Sequence, residues 1–310
     1  MTNPATRLLL RPLLLAFVVQ IAPSLHAVIV AGGDGAQNST GSGAGVGWSY
    51  VGTRGVGSAV YLGNFYGDNW VLTANHVGAG SFTLGGTTYG AIGGSTVRVQ
   101  NTDLSVTDLI LFKIDGTPGL APIPIAATTP ITGTSVTMIG AGRDRLTALT
   151  GWNVTGTNPN YTWTEVGSGA NALGYKWNSS RTMRWGESSI TSTILYNSGD
   201  GNVNGFRAAF TPYVGQAQGS VGDSGGGVFT YNYSNASWEL AGLMLAIDSY
   251  GNQPSGTAVF GNNTYLADLS SYRNYIVTAI PESSASAIIA GAGVLLLAIS
   301  RRRRRAQELK

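Results

Sequence analysis

Short runs of Val, Thr, Tyr and Trp, separated by turns rich in Gly, Asn and Ser, most constrain what this chain can fold into. Such runs, interrupted by frequent turn residues, are typical of antiparallel β-structure. The chain has 45 glycines among 310 residues, and only 11% of its residues are charged. Hydrophobic residues make up 43%, which is enough to build a core. We therefore expect an all-β protein with many tight turns.

Several apolar runs predict individual strands, namely 58–62, 70–73, 97–99, 109–114, 135–139, 227–230 and 240–245. The proline-rich stretch 118–130 is the best candidate for a link between two β-units. We expect residues 150–205, with weak periodicity, to form long loops with a few strands. Residues 270–279 predict a short closing helix, since Tyr272 and Ile276 stand at helical spacing.

Residues 1–27 have the pattern of a signal peptide. Arg7 and Arg11 precede an apolar run at 13–21, and the small residue Ala27 marks a cleavage point. An N-terminal anchor is the alternative, but the apolar run is short for one. We expect Sec-type export machinery to handle the chain.

The C-terminal segment 280–310 has three parts: Pro281-Glu282-Ser283, an apolar run at 285–299, and arginines at 301–305. The apolar run is shorter than the ~20 residues of a usual membrane helix. The arginines favour a cytoplasmic side, which leaves the rest of the chain outside. The segment resembles the PEP-CTERM sorting signal processed by exosortase in Gram-negative bacteria, although the second proline is absent.

The tail resemblance implies membrane contact through 285–299, an exosortase-like processing partner, and a protein at the cell surface or secreted, transiently anchored by its tail. The alternative is a permanent short anchor.

The basic character of the chain comes from its ends. Eight of the 18 basic residues lie in the leader and tail, which leaves 10 in the centre against 13 of the 15 acids, a net charge near −3. We therefore infer no nucleic-acid partner. The chain has no cysteine, which excludes thiol nucleophiles, thiolate metal sites and disulfides, and favours a bacterial source.

Once the leader is removed, His76 is the one histidine left in the chain, since His26 lies in the leader. A serine hydroxyl needs a base within hydrogen-bond reach, an orienting group for that base, and donors for the developing oxyanion. Ser224, flanked by glycines, is the candidate nucleophile. Its turn can direct the Gly222 and Ser224 amides at one point, forming an oxyanion hole, while Asp223 pairs with a cation.

Asp108 is the candidate orienting acid, because it opens the apolar strand 109–114. A buried carboxylate is costly unless it is paired, and orienting a histidine is one such use. Asp103 and Asp115 are rivals, but neither opens such a strand.

These motifs together resemble those of the chymotrypsin/trypsin-like serine peptidases. Thr73-Ala74-Asn75-His76, Asp108-Leu109-Ile110-Leu111 and Gly222-Asp223-Ser224-Gly225-Gly226 stand in the order His, Asp, Ser of that family. The resemblance covers 28–279. It implies two packed six-stranded antiparallel β-barrels, roughly 28–125 and 126–279, with the catalytic triad between them. The implied function is an exported serine endopeptidase that cleaves protein or peptide substrates through an acyl-enzyme.

The resemblance also implies an N-terminal amino group paired with Asp223. The segment Val28-Ile29-Val30-Ala31-Gly32-Gly33 looks like the family's mature N-terminus. Cleavage after Ala27 would create it, so we hypothesise that export completes the site.

For the specificity pocket, the resemblance points to Gln218 at the base, with Ala246, Ile247 and Asn263 at the walls. Gln218 is not an acid, so cleavage after Lys or Arg is not the default, although Asp248 could restore it. Leu245 falls where the family has a serine supporting the triad aspartate.

Two other functions remain open: a catalytically silent surface or adhesion module on the same fold, and an esterase-type acyl hydrolase. We expect no cofactor. The Asp and Asn residues near 200–204 would suit calcium, but their composition is that of ordinary turns.

Overall fold

A computed structural model of the protein describes residues 28–280 as mostly β-strand, with a short C-terminal helix. The predicted all-β fold class is confirmed. The predicted signal peptide at 1–27 and the apolar run at 285–299 lie outside the described residues. Across 28–280, no helix is both long enough and apolar enough to cross a membrane.

The strands of the first half are β1 Ile29–Val30, β2 Val51–Arg54, β3 Gly57–Phe65, β4 Asp68–Ala74, β5 Phe82–Leu84, β6 Thr87–Tyr89, β7 Val97–Gln100 and β8 Val106–Ile114. Those that follow are β9 Ser135–Gly140, β10 Arg143–Thr157, β11 Asn160–Val166, β12 Ala172–Arg181, β13 Arg184–Asn197, β14 Asn202–Ala209, β15 Ala217–Gln218, β16 Gly227–Asn232, β17 Ser237–Ile247, β18 Thr257–Val259 and β19 Asn263–Asp268. A 3-10 helix spans Gly45–Tyr50, and helix α1 spans Leu269–Ala279.

The first half forms one antiparallel sheet in the order β6-β5-β2-β3-β4-β8-β7. Strand β4, between β3 and β8, is buried on both faces: Trp70 and Leu72 join one core cluster, whereas Val71 packs in another with Tyr61 and Phe112. The resemblance implied a closed six-stranded barrel here. The sheet instead has seven strands, and main-chain hydrogen bonds do not close it, because β6 pairs with β5 alone and β7 with β8 alone.

The second half contains a closed six-stranded antiparallel barrel in the order β13-β14-β19-β17-β16-β9. Strand β13 alternates buried and exposed residues along its first half, as expected when one face meets a core and the other meets solvent. The stretch 118–130 lies between β8 and β9 and contains no strand apart from a bridge at Ile125.

Residues 150–205 are more regular than their sequence indicates, so the prediction of long loops was wrong. Strand β10 pairs with both β11 and β12, and β12 also pairs with β18, giving a four-stranded sheet. Much of β10 and β11 is exposed, and polar residues and glycine make up most of both strands, so their apolar signal is weak. Their order comes from main-chain hydrogen bonds between neighbouring strands.

Helix α1 packs against both halves. It begins one residue before the predicted start, and the Asp268 carboxylate caps it by accepting from the Ser270 amide at 3.0 Å. Tyr272 and Ile276 are buried on one face, as their spacing predicted. They belong to the same core cluster as Leu72 of the first sheet and residues of the second barrel. The two halves therefore share one hydrophobic core.

Candidate active site

The register of β4 against β8 brings His76 beside Asp108. Ala74 lies opposite Leu109, and the next amide, that of Asn75, donates to the Asp108 carbonyl oxygen at 3.0 Å. The His76 amide then donates to Asp108 Oδ1 at 3.0 Å, and His76 Nδ1 lies 2.7 Å from Asp108 Oδ2. The carboxylate thus holds both the backbone and the ring of the histidine.

Asp108 is fully buried, whereas the His76 side chain is 35% exposed. The hydrogen bond that His76 donates to Asp108 raises the pKa of His76 above its ordinary value, although burial opposes the shift. The rivals lie elsewhere: Asp103 is exposed and accepts hydrogen bonds from Ser105, and Asp115 accepts from the Gly90 amide. Among the three acids, Asp108 is the one that contacts the imidazole.

The turn that carries Ser224 belongs to the second half and docks on Ser58 of the first. The Ser58 amide donates to the Ser224 carbonyl at 2.8 Å, and the Ser58 hydroxyl donates to the Gly222 carbonyl at 3.0 Å. Thr73 Oγ1 donates to the Ser58 carbonyl at 2.7 Å. Since Thr73 lies three residues before His76, these bonds link the histidine strand to the serine turn.

The Ser224 hydroxyl points at the Leu245 carbonyl oxygen, 3.3 Å away. Across residues 28–280, no hydrogen bond joins Ser224 to His76, and no acceptor takes the amide of Gly222 or of Ser224. Gly222 has φ +101°, a conformation that favours glycine. Neither amide has an acceptor in the described chain, but Gly222 is buried and does not line the cavity beside Ser224, so their role as an oxyanion hole stays a prediction.

Asp223 is buried behind this turn and meets the start of the described chain. Its carboxylate accepts from the Gly142 amide at 2.8 Å, from the Ser220 amide at 2.7 Å and from the Val28 nitrogen at 3.3 Å. Burial raises the pKa of Asp223 to about 6, because these neutral donors offset only part of the desolvation cost.

A cavity of about 260 Å³ opens beside Ser224. Ala246 and Ile247, two of the residues predicted for the specificity pocket, line this cavity. Met244, Leu245 and Thr264 complete much of the wall.

The other two residues expected in the pocket do not line this cavity. Gln218 is fully buried in β15, where it pairs with Ile29, and its side-chain amide has no hydrogen-bond partner within the described part of the chain. Asn263 points the other way from its neighbour Thr264, because successive residues of a strand face opposite sides. The side-chain amide of Asn263 donates to Asp248 Oδ2 at 2.8 Å. Asp248 does not line the cavity either.

A larger cavity of about 460 Å³ lies away from these groups, between helix α1 and the stretch around Pro122. Its lining is apolar apart from Arg273 and Tyr66, and it contains neither a nucleophile nor a base. The size of a cavity therefore does not identify the candidate active site in this protein.

One polar neighbour of the dyad was not singled out from the sequence. Asp200, in the turn between β13 and β14, accepts from Asn75 Nδ2 at 2.8 Å. Side-chain atoms of His76, Asp108 and Asp200 lie within 4.8 Å of one another. We assign no metal here, because His76 Nδ1 is already engaged by Asp108. The sequence marked Asp200 only as one of the turn residues near 200–204 that would suit calcium, and nothing placed it near His76, which stands 124 positions earlier.

No protein-family model matches the chain, and no curated protein matches it. Among solved structures, the chain is similar to the Rv3671c protease of M. tuberculosis H37Rv in its inactive form, at 15% identity and a TM-score of 0.43, over 81% of this chain and 98% of that one. It is also similar to mouse neuropsin, a serine protease, at 16% identity and a TM-score of 0.42, over 75% of this chain and 95% of that one.

We predict that Gly225→Ala destabilises the protein far more than Gly215→Ala. Both glycines have positive φ, +81° and +88°. A Cβ at Gly225 would lie 2.1 Å from the Ser58 carbonyl oxygen, whereas a Cβ at Gly215 meets nothing within 4 Å. We expect urea unfolding to report a loss of about 3–4 kcal/mol for the first and roughly 1 kcal/mol for the second. Equal losses would contradict the close docking of the two halves.

Proposed function

We propose that this protein is an exported serine endopeptidase. The observation that carries the proposal is the 2.7 Å contact between His76 Nδ1 and Asp108 Oδ2, on the side of the molecule where the Ser224 turn meets the first sheet. A carboxylate only accepts hydrogen bonds, so His76 carries its proton on Nδ1 and presents Nε2 as a base.

In the proposed reaction, rotation about the Cα–Cβ bond of Ser224 moves its hydroxyl from the Leu245 carbonyl to His76 Nε2. Hydrogen bonds of this kind are often long or absent before substrate binds. The Ser224 oxygen attacks the peptide carbonyl carbon as His76 takes the hydroxyl proton. The amides of Gly222 and Ser224 donate to the oxyanion. His76 then protonates the departing amine, leaving an acyl-enzyme, and activates a water that releases the acid.

The cavity beside Ser224 indicates the preferred substrate residue. Its wall is mainly apolar, and Thr264 supplies a hydroxyl. The one acid in the lining, Asp223, already accepts four hydrogen bonds. We therefore propose cleavage after small or medium-sized apolar residues rather than after Lys or Arg.

Export is proposed from residues 1–27, and it has a physical consequence at Asp223. The Val28 nitrogen, 3.3 Å from the carboxylate, is a peptide nitrogen as long as residue 27 is attached. Cleavage after Ala27 would turn that nitrogen into an ammonium group in the same place. A buried carboxylate whose hydrogen-bond donors are all neutral, with the Arg181 guanidinium nearby but not bonded to it, would then gain a direct counter-charge. We propose that leader removal stabilises the Ser224 turn in this way.

We predict that Ser224→Ala and His76→Ala each reduce hydrolysis of fluorescent casein by several orders of magnitude, up to about 10⁶-fold. Each variant removes a group that no neighbour replaces, since the chain after the leader has one histidine. The matched control is Ser220→Ala, a nearby serine of the same cavity whose hydroxyl binds Asp223 and the Arg143 carbonyl.

Near-complete loss in the first two variants, with partial retention in the control, supports the triad. A parent protein that hydrolyses esters but not casein, and loses the esterase activity in both variants, would favour the acyl hydrolase. A parent with neither activity would favour the silent surface module.

We predict that the stability of the precursor depends on pH between about 4 and 6, and that the stability of the cleaved protein depends on it much less. In the precursor the pKa of Asp223 is about 6 against an ordinary 3.8, so the folded state holds its proton longer than the unfolded state. Its stability therefore falls as pH rises from about 4 to 6, by on the order of 3 kcal/mol. In the cleaved protein the ammonium group offsets this loss until the amine deprotonates at alkaline pH. Chemical denaturation of both forms across this range measures the difference, and parallel curves would contradict the pairing.

A further inference from the structure

Asp200 reaches the candidate active site from the opposite half of the molecule. It lies in the turn between β13 and β14 of the second barrel, whereas His76 and Asp108 belong to the first sheet. Its Oδ1 accepts from the side chain of Asn75, the residue directly before His76, at 2.8 Å. Asn75 also donates its amide to the Asp108 carbonyl at 3.0 Å. Asn75 therefore connects Asp200 to both members of the dyad.

The turn that carries Asp200 is held in place by contacts with the first sheet. The Arg98 guanidinium donates both to the Thr107 carbonyl, next to Asp108, and to the Asp200 carbonyl. At Gly201, a Cβ would lie 2.2 Å from the Val106 carbonyl oxygen, so the turn packs directly against β8. The position of Asp200 is thus fixed by the same strand that carries Asp108.

The dyad has little other polar support. Within residues 28–280, the buried carboxylate of Asp108 accepts hydrogen bonds from His76 alone. Leu245 stands where the family resemblance places a serine for this carboxylate, and its side chain cannot donate. The second carboxylate, on Asp200, lies within 4.8 Å of side-chain atoms of both His76 and Asp108.

We propose that Asp200 is a positioning residue of the dyad: it holds the His76 segment through Asn75 and stabilises the imidazolium that forms during turnover. This role takes the place of the missing serine and rests on the hydrolase function proposed above. A carboxylate at this distance favours the charged imidazole over the neutral one.

The charged and titratable groups near His76 come from β8, the β13–β14 turn, β13 and β7. Asp108 on β8 and Asp200 on the β13–β14 turn both raise the pKa of His76, with Asp108 contributing more. Tyr196 on β13 lies near Asp108, and burial keeps the pKa of that phenol raised, so it stays neutral. Arg98 on β7 binds the Asp200 carbonyl rather than its carboxylate. The net field at the imidazole is therefore negative.

Two variants separate charge from position. Asp200→Asn removes the charge and keeps an oxygen that can accept from Asn75, whereas Asn75→Ala removes the hydrogen bond and keeps the charge. Asp103→Asn is the matched control, because it removes a carboxylate from the exposed β7–β8 hairpin without contact to the dyad. The full chain carries His26→Gln in every case, so that His76 gives the one imidazole signal by NMR.

In Asp200→Asn we expect a lower pKa of His76 by NMR titration, an acidic limb of the kcat/KM profile that moves to lower pH by the same amount, and a plateau kcat reduced roughly 10-fold. In Asn75→Ala we expect a similar fall in kcat, a smaller change in the pKa, and little change in KM. Asp103→Asn should match the parent in all three.

An unchanged His76 pKa and kcat in Asp200→Asn, with the fold intact by thermal melting, would overturn the proposal. So would an Asn75→Ala variant with parental kcat. If the parent protein hydrolyses nothing while Asp200→Asn still lowers the pKa of His76, the electrostatic coupling is supported and the proposed hydrolase function fails. The two failures are therefore distinguishable.

Discussion

The arrangement of the whole site depends on the hydrogen bonds made by one buried residue, Ser58. Its amide, hydroxyl and carbonyl bind, respectively, the Ser224 carbonyl, the Gly222 carbonyl and the Thr73 hydroxyl. Each of these bonds removes a polar group from water, so losing any partner would leave a costly unsatisfied atom. Because the serine turn and the histidine strand belong to different halves, the bonds of Ser58 fix how the Ser224 turn lies against the strand that leads to His76. The core cluster that spans both halves holds the two halves together, and the hydrogen bonds of Ser58 fix their relative position.

Charge around the site is arranged in two separate places. On the histidine side, the buried Asp108 and the half-buried Asp200 both favour a protonated imidazole, which suits a base that must carry a proton between two steps. On the serine side, Asp223 is buried among neutral hydrogen-bond donors. Burial raises its pKa, so a positive charge beside it would stabilise the carboxylate. The Val28 nitrogen lies next to this carboxylate, so leader removal would place a positive charge there. Export and activation would then be one event in the proposed account.

The sequence predicts the parts of the site that follow from local pattern. His76 and Asp108 stand at the ends of apolar runs, and neighbouring antiparallel strands bring such ends together. The sequence does not show which way residues 263 and 264 face, because strand register decides that Thr264 and not Asn263 lines the cavity beside Ser224. The strands β10 and β11 were missed because they are largely exposed and most of their residues are polar or glycine, which makes the apolar signal weak. Asp200 was missed because its contact with Asn75 spans 125 positions, and no local pattern encodes it.

The most direct test of the central claim is to locate a covalent bond to Ser224. The leader-free protein would be treated with a peptidyl phosphonate carrying an apolar residue at the cleavage position, then digested and mapped by mass spectrometry. Attack by an activated serine predicts a single adduct on the peptide containing Ser224, absent when His76 is replaced by alanine. Folded protein with Ser224 unmodified, or labelled equally without His76, would contradict the account.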